Sequence, residues 1–173
     1  DDAFVGMANT TGGLVGLWGN HGTFWGLVMN TTNGNVNIGN GAVSATNKLQ
    51  VVNAYCNGTT WVNASDRNLK QNFETVDAGE ILEKIVALPI QSWSYKLQPG
   101  EKHIGPVAQD FHAAFGLGDS ERGITTVDEG GVALAAIQGL NQKLEAQRIE
   151  NERLKTELLE LRQKLELLVN AKR

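Results

Sequence analysis

The 173-residue sequence has one cysteine, three prolines and few aromatic residues, 6% of the total. The single thiol, Cys56, excludes an intrachain disulfide, so redox chemistry says nothing about compartment. His21, His103 and His112 are scattered without ligand spacing, and no metal or other cofactor is expected. No apolar run approaches the ~20 residues a membrane-crossing helix needs. A formal charge of −4 gives no electrostatic reason to expect nucleic acid or an anionic membrane as partner. Hydrophobic content is ordinary at 41%, yet there are 20 glycines, so part of the chain is not a conventional core. The sequence opens on Asp1-Asp2 with no Met and no basic-then-apolar leader, and reads as the tail of something longer.

Charge is almost missing from residues 1–64, where only Asp1, Asp2 and Lys48 carry any. Gly, Asn and Thr crowd this stretch, with apolar pieces such as Leu14-Val15-Gly16-Leu17-Trp18 and Val36-Asn37-Ile38 between them. Period-two patterning between Gly/Asn turns predicts short strands. A flexible linker would not carry Trp18, Phe24, Trp25, Ile38 and Trp61. A lone chain of such strands buries little, whereas identical chains wound together bury more. The expectation is a Gly-rich, intertwined β stalk over residues 1–64.

Charge returns at Ser65, and residues 65–131 read as a small α+β domain. Asp77 is placed as an N-cap with Glu80 as its capping-box partner. Ile81, Leu82, Ile85 and Leu88 make a helical stripe that Pro89 ends. A strand is expected over 90–97 with Trp93, Tyr95 and Leu97 on one face. Gln98-Pro99-Gly100 should then turn the chain into an extended 103–107. A short helix from Ala108 should close at Gly116.

From about Val132 to the end, residues 132–173 read as one helix. Ile137, Leu140, Leu144, Gln147, Asn151, Leu154, Leu158, Leu161, Leu165 and Leu168 occupy a and d positions of a sustained heptad. Glu150 with Lys155, and Glu157 with Arg162, fall where opposite charges attract across a parallel interface. Gln147 and Asn151 are polar seam layers suited to fixing register. These heptads predict a parallel coiled coil and leave its strand number open.

The composition break falls at Ala64-Ser65-Asp66-Arg67-Asn68-Leu69-Lys70. A Ser five residues before a Lys is no signal by itself, and Ser65 has an ordinary role open to it as a cap or turn residue. On a regular helix or strand the two side chains would point apart. Either the chain turns between them, for which Asp66 and Asn68 are suited, or the Lys comes from a neighbouring chain.

Ser65-Asp66-Arg67-Asn68-Leu69-Lys70-Gln71-Asn72 resembles the opening motif of the endosialidase-type intramolecular chaperones, self-cleaving domains at the ends of phage tail spikes and fibres. The resemblance continues through Ile81-Leu82, Trp93-Ser94-Tyr95, His103 to Asp110, Val127-Asp128 and Ala135 to Gln138. Asn35 to Gly39 and Lys48 to Val51 are similar to stalk sequences that precede such domains. Pro106 departs from the larger apolar residue expected there. The resemblance implies a homotrimer that folds its client, the upstream fibre of the same polypeptide, in a virion tail fibre or prophage-encoded surface fibre. It also implies release of the domain by a Ser-Lys dyad, with Ser65 as nucleophile, Lys70 as general base and Ala64–Ser65 as the scissile bond. His103, Gln109 and Asp110 are candidate supporting residues. Three other readings stand beside this one. They are a permanent trimerisation module with a silent dyad, a sugar-binding tip using Trp18, Trp25 and Trp61, and a membrane-tethered transcription factor carrying the same domain. Nothing basic or membrane-spanning in the sequence supports the last.

Overall fold

A computed structural model describes residues 3–9, 13–19, 25–39, 47–118 and 120–171. Asp1, Asp2, His21 and Phe24 lie outside them, as do the side chains of Trp18 and Trp25. The chain divides into two compact units, Asp1–Phe73 and Glu74–Arg173, and its fold class is α+β with a long C-terminal helix.

Among the described residues of the first unit, seven strands form one sheet in sequence order. They are β1 (Ala3–Asn9), β2 (Leu14–Gly19), β3 (Trp25–Asn30), β4 (Val36–Ile38), β5 (Leu49–Val51), β6 (Ala54–Cys56) and β7 (Trp61–Asn63). All pairings are antiparallel except β4 with β5. Turn chemistry explains the short connections. Asn30 Oδ1 accepts from the amides of Thr32 and Asn33, and Gly34 takes a φ of 72° that a side chain would disfavour. Asn57 Oδ1 similarly accepts from the amides of Thr59 and Thr60 ahead of β7.

Alternation sorts the faces of this sheet. Val5, Leu17, Leu27 and Ile38 follow one another across β1 to β4, and so do Met7, Val15, Met29 and Val36. These residues share one face, and all but Ile38 line an apolar groove of about 510 Å³. Gly6, Gly16, Val28 and Asn37 align on the other. The predicted short strands are therefore present, paired with neighbours within the chain. They bury little: Val28, Asn35 and Asn37 are the buried residues among those described in this unit, while Val5 is 72% and Met7 58% exposed.

In the second unit α1 (Ala78–Ala87) begins at Asp77, whose Oδ1 accepts from the amides of Gly79 and Glu80 at 2.8 and 3.1 Å. Half of the expected capping box forms. Glu80 pairs instead with Lys84 at 2.8 Å, a favourable (i, i+4) geometry on the helix surface. Leu88 and Pro89 end the helix as expected.

The β hairpin departs from the sequence reading. β8 (Gln91–Tyr95) pairs with β9 (Gln98–Gly105), and Tyr95 sits opposite Gln98. Lys96 and Leu97 therefore make the turn, not Gln98-Pro99-Gly100. Pro99 is tolerated because a two-stranded ribbon leaves outward-facing positions that need no amide donor. Leu97 accordingly leaves the Trp93–Tyr95 face and is 96% exposed. α2 (Ala108–Phe115) closes on left-handed Gly116, φ 65°, whose amide donates to His112 O at 2.8 Å.

α3 (Thr126–Ala171) has 46 residues and is about 70 Å long at 1.5 Å per residue. It starts at Thr126 rather than near Val132 because Thr125 caps it. Thr125 Oγ1 accepts from the Asp128 amide at 3.1 Å and donates to Asp128 Oδ2 at 2.7 Å. Leu88, Phe111 and Val132 form the buried core, with Ile81, Ile85, Ala114, Phe115 and Ile124 packed around it. Gly139 lets α3 cross α1 closely: a Cβ there would lie 2.1 Å from the carbonyl oxygen of Ala78.

Among the described residues of the unit, the heptad stripe of α3 is left largely uncovered. Ile137, Leu140, Leu144, Leu154, Leu158, Leu161, Leu165 and Leu168 are between 47% and 62% exposed. Arg153 pairs with Glu150 at 2.7 Å and also with Glu157. Its hydrogen bond holds the Glu150 carboxyl below its ordinary value, with desolvation opposing and the Arg153 charge assisting. Lys155 pairs with Glu152 at 2.7 Å. Both charged residues of the expected Glu150–Lys155 bridge thus have partners on their own helix.

Candidate functional site

The sheet ends at the composition break. Ala54 pairs with Asn63 across β6 and β7, and the amide of Ala64 adds one more rung by donating to Asn53 O at 2.8 Å. Ser65 follows this last rung. Sequence reading did not single out Asn53, and no side-chain signal could have done so, because the contact is between main chains.

Directly after Ser65 the chain makes a single 3-10 turn over Arg67–Leu69. Asp66 caps it in an extended conformation (φ −61°, ψ 134°). Its Oδ1 accepts from the Asn68 amide at 2.9 Å and from Asn68 Nδ2 at 3.0 Å. The Leu69 amide donates to Asp66 O and the Lys70 amide to Arg67 O, each at 3.1 Å. This tight turn folds the five-residue spacing back on itself, and Lys70 Nζ donates to Ser65 Oγ at 2.8 Å. Of the two routes left open by the sequence, the intrachain turn is the one observed.

The flanks of the turn are also ordered by local chemistry. The Arg67 guanidinium lies over the Phe73 ring, 4.9 Å from its centroid, a cation–π contact. Asn72 takes a left-handed φ of 56°, which Asn accepts more readily than most residues. Ser65 and Lys70 are both exposed.

His103, Gln109 and Asp110 belong to the second unit. His103 faces Trp93 across the hairpin, with ring centroids 4.8 Å apart, and lies 5.4 Å from Tyr95. Trp93 Nε1 and His103 Nε2 are buried and have no hydrogen-bond partner among the described residues. His103 and Gln109 line one cleft with Arg122 and Glu129. Asp110 stands in the first turn of α2, where a carboxylate complements the helix dipole. Among the described residues no group of three or more His, Cys, Asp or Glu is placed to hold a metal ion. No described helix is long and apolar enough to cross a membrane.

Residues 65–116 match the model of a peptidase family described as Chaperone of endosialidase (Peptidase S74). That stretch is therefore a domain of the endosialidase-chaperone type, and it starts at Ser65 itself. The match supports an intramolecular chaperone role. No curated protein and no solved structure matches the chain.

Proposed function

We propose that this endosialidase-chaperone-type domain trimerises, folds the fibre upstream of it on the same polypeptide, and then cuts itself free at Ala64–Ser65. The observation that carries the cleavage reading is the 2.8 Å contact between Lys70 Nζ and Ser65 Oγ at the first residue of the family match. A serine hydroxyl is a weak nucleophile until a base removes its proton, and a positioned neutral amine can do so.

The reaction balances within the chain. Ser65 Oγ attacks the Ala64 carbonyl carbon while its proton passes to Lys70 Nζ. The Ala64–Ser65 C–N bond breaks, and the leaving nitrogen takes a proton from the lysine ammonium. Ala64 is left as an ester on Ser65 Oγ, which water hydrolyses to a carboxylate and a free hydroxyl. Nucleophile and scissile bond adjoin, so proximity replaces substrate binding and one turnover is the natural outcome.

The partner in assembly is a second and third copy of this chain. Burying the wet half of each seam Leu gains on the order of 1 kcal/mol, and the exposed stripe of α3 supplies eight such apolar positions. Surface ion pairs are screened by water and add little, so the apolar seam dominates, and the polar layers at Gln147 and Asn151 suit fixing its register. The exposed apolar face of the sheet suits the same arrangement. A lysine serves as base when it is removed from water. Ser65 and Lys70 are exposed in the single chain, so assembly would act as the switch for cutting.

Expressing the full chain tests the reading. Denaturing electrophoresis with mass spectrometry should give fragments 1–64 and 65–173, and Ser65→Ala should give one intact band. An intact native chain under assembling conditions overturns it.

A further inference from the structure

The Ser65–Lys70 contact depends on one tight turn, and a 3-10 turn of three residues has little stability of its own. Two main-chain hydrogen bonds of 3.1 Å hold it. The remaining order comes from Asp66, whose Oδ1 receives both the amide and the side-chain Nδ2 of Asn68. That oxygen satisfies a donor that the turn itself leaves without an acceptor. It also closes a ring of contacts one residue from the hydroxyl and two residues before the lysine.

We propose that Asp66 is the positioning residue of the Ser65–Lys70 pair, capping the 3-10 turn that brings the Lys70 amine to the Ser65 hydroxyl. The inference rests on the dyad reading above. Asp66 acts as a hydrogen-bond acceptor, and its negative charge is not what the dyad requires. A carboxylate near an ammonium favours the charged lysine, which would oppose a lysine base. An uncharged acceptor in the same place should therefore serve as well.

The test compares the full chain carrying Asp66→Asn, which keeps an acceptor oxygen at the cap, with Asp66→Ala, which removes it. Single-turnover cleavage should slow roughly ten-fold for Asp66→Ala, in line with loss of one cap, and stay within about three-fold of native for Asp66→Asn. Asp66→Asn cutting as slowly as Asp66→Ala, or Asp66→Ala cutting at the native rate, overturns the proposal.

A second measurement reads the geometry without cleavage. In a Ser65→Cys, Cys56→Ser background the chain has one thiol, and an adjacent lysine ammonium favours its thiolate. The midpoint of the pH profile for alkylation should rise with Asp66→Ala to the value seen with Lys70→Met. With Asp66→Asn it should stay below that value. If the native chain never cuts but the thiol midpoint still follows Asp66 in this way, the dyad reading fails and the positioning role stands. A midpoint indifferent to Asp66→Ala overturns the positioning role, whether or not the native chain cuts.

Discussion

The amide of Ala64 donates to the carbonyl of Asn53 at 2.8 Å, one residue before Ser65. The acyl side of the proposed scissile bond is thus held by the last rung of a sheet, and its other side leads straight into the capped turn that returns Lys70. A bond held on one side, with nucleophile and base delivered from the other, has little orientational freedom left to lose.

Lys70 should be indispensable as an amine and not as a cation. Lys70→Met is expected to lower the cleavage rate by about 10²–10⁴-fold, the usual range for a lost general base. Lys70→Arg should not restore it, because a guanidinium does not deprotonate in proteins. Quantified electrophoresis after a synchronised start of assembly would read both. Efficient cutting by Lys70→Arg would remove lysine from the role of base.

An ester intermediate has a chemical signature. Hydroxylamine attacks esters faster than amides, so it should accelerate release and leave residues 1–64 ending in the Ala64 hydroxamate. Mass spectrometry of that fragment distinguishes the hydroxamate from the carboxylate. A carboxylate alone, at an unchanged rate, would favour direct attack by water.

Assembly should depend on the seam. Leu154 and Leu158 are 47% and 52% exposed on adjacent d and a positions, and charges there would be trapped by an apolar interface. Leu154→Lys with Leu158→Lys is expected to reduce the species seen by sedimentation to a single chain and to abolish cutting. Rapid cutting by a demonstrated monomer would separate catalysis from assembly.

Glycines along α3 should behave in opposite ways. At Gly139 a Cβ would lie 2.1 Å from a main-chain oxygen, 2.8 Å from its carbon and 3.1 Å from Leu82 Cβ, so α1 and α3 must separate. Gly139→Ala is expected to destabilise the unit by about 1–3 kcal/mol, despite the roughly 1 kcal/mol that Ala gains in helix propensity. Gly130 and Gly131 have open space around them, and Ala at either should raise the melting temperature slightly. Thermal unfolding followed by circular dichroism would rank the three.

The sequence by itself determined the elements whose causes are local. The Asp77 cap, the Ile81 to Leu88 stripe, the Gly116 stop and the heptads of α3 all follow from side-chain chemistry over a few neighbouring residues. It misplaced the hairpin turn, since Pro99 and Gly100 carry turn chemistry but the Tyr95–Gln98 register decides where the strands reverse. It placed the start of α3 too late, because the capping geometry of Thr125 outweighs two helix-weakening glycines just downstream. For the candidate site the residue types were legible and their encounter was not. Ser65 and Lys70 are five apart, a spacing that regular structure would separate. Only the capped turn over Arg67–Leu69 brings their side chains to 2.8 Å. The rung from Ala64 to Asn53 had no trace in side chains at all, because main-chain hydrogen bonds between strands are set by register, and register belongs to the folded sheet.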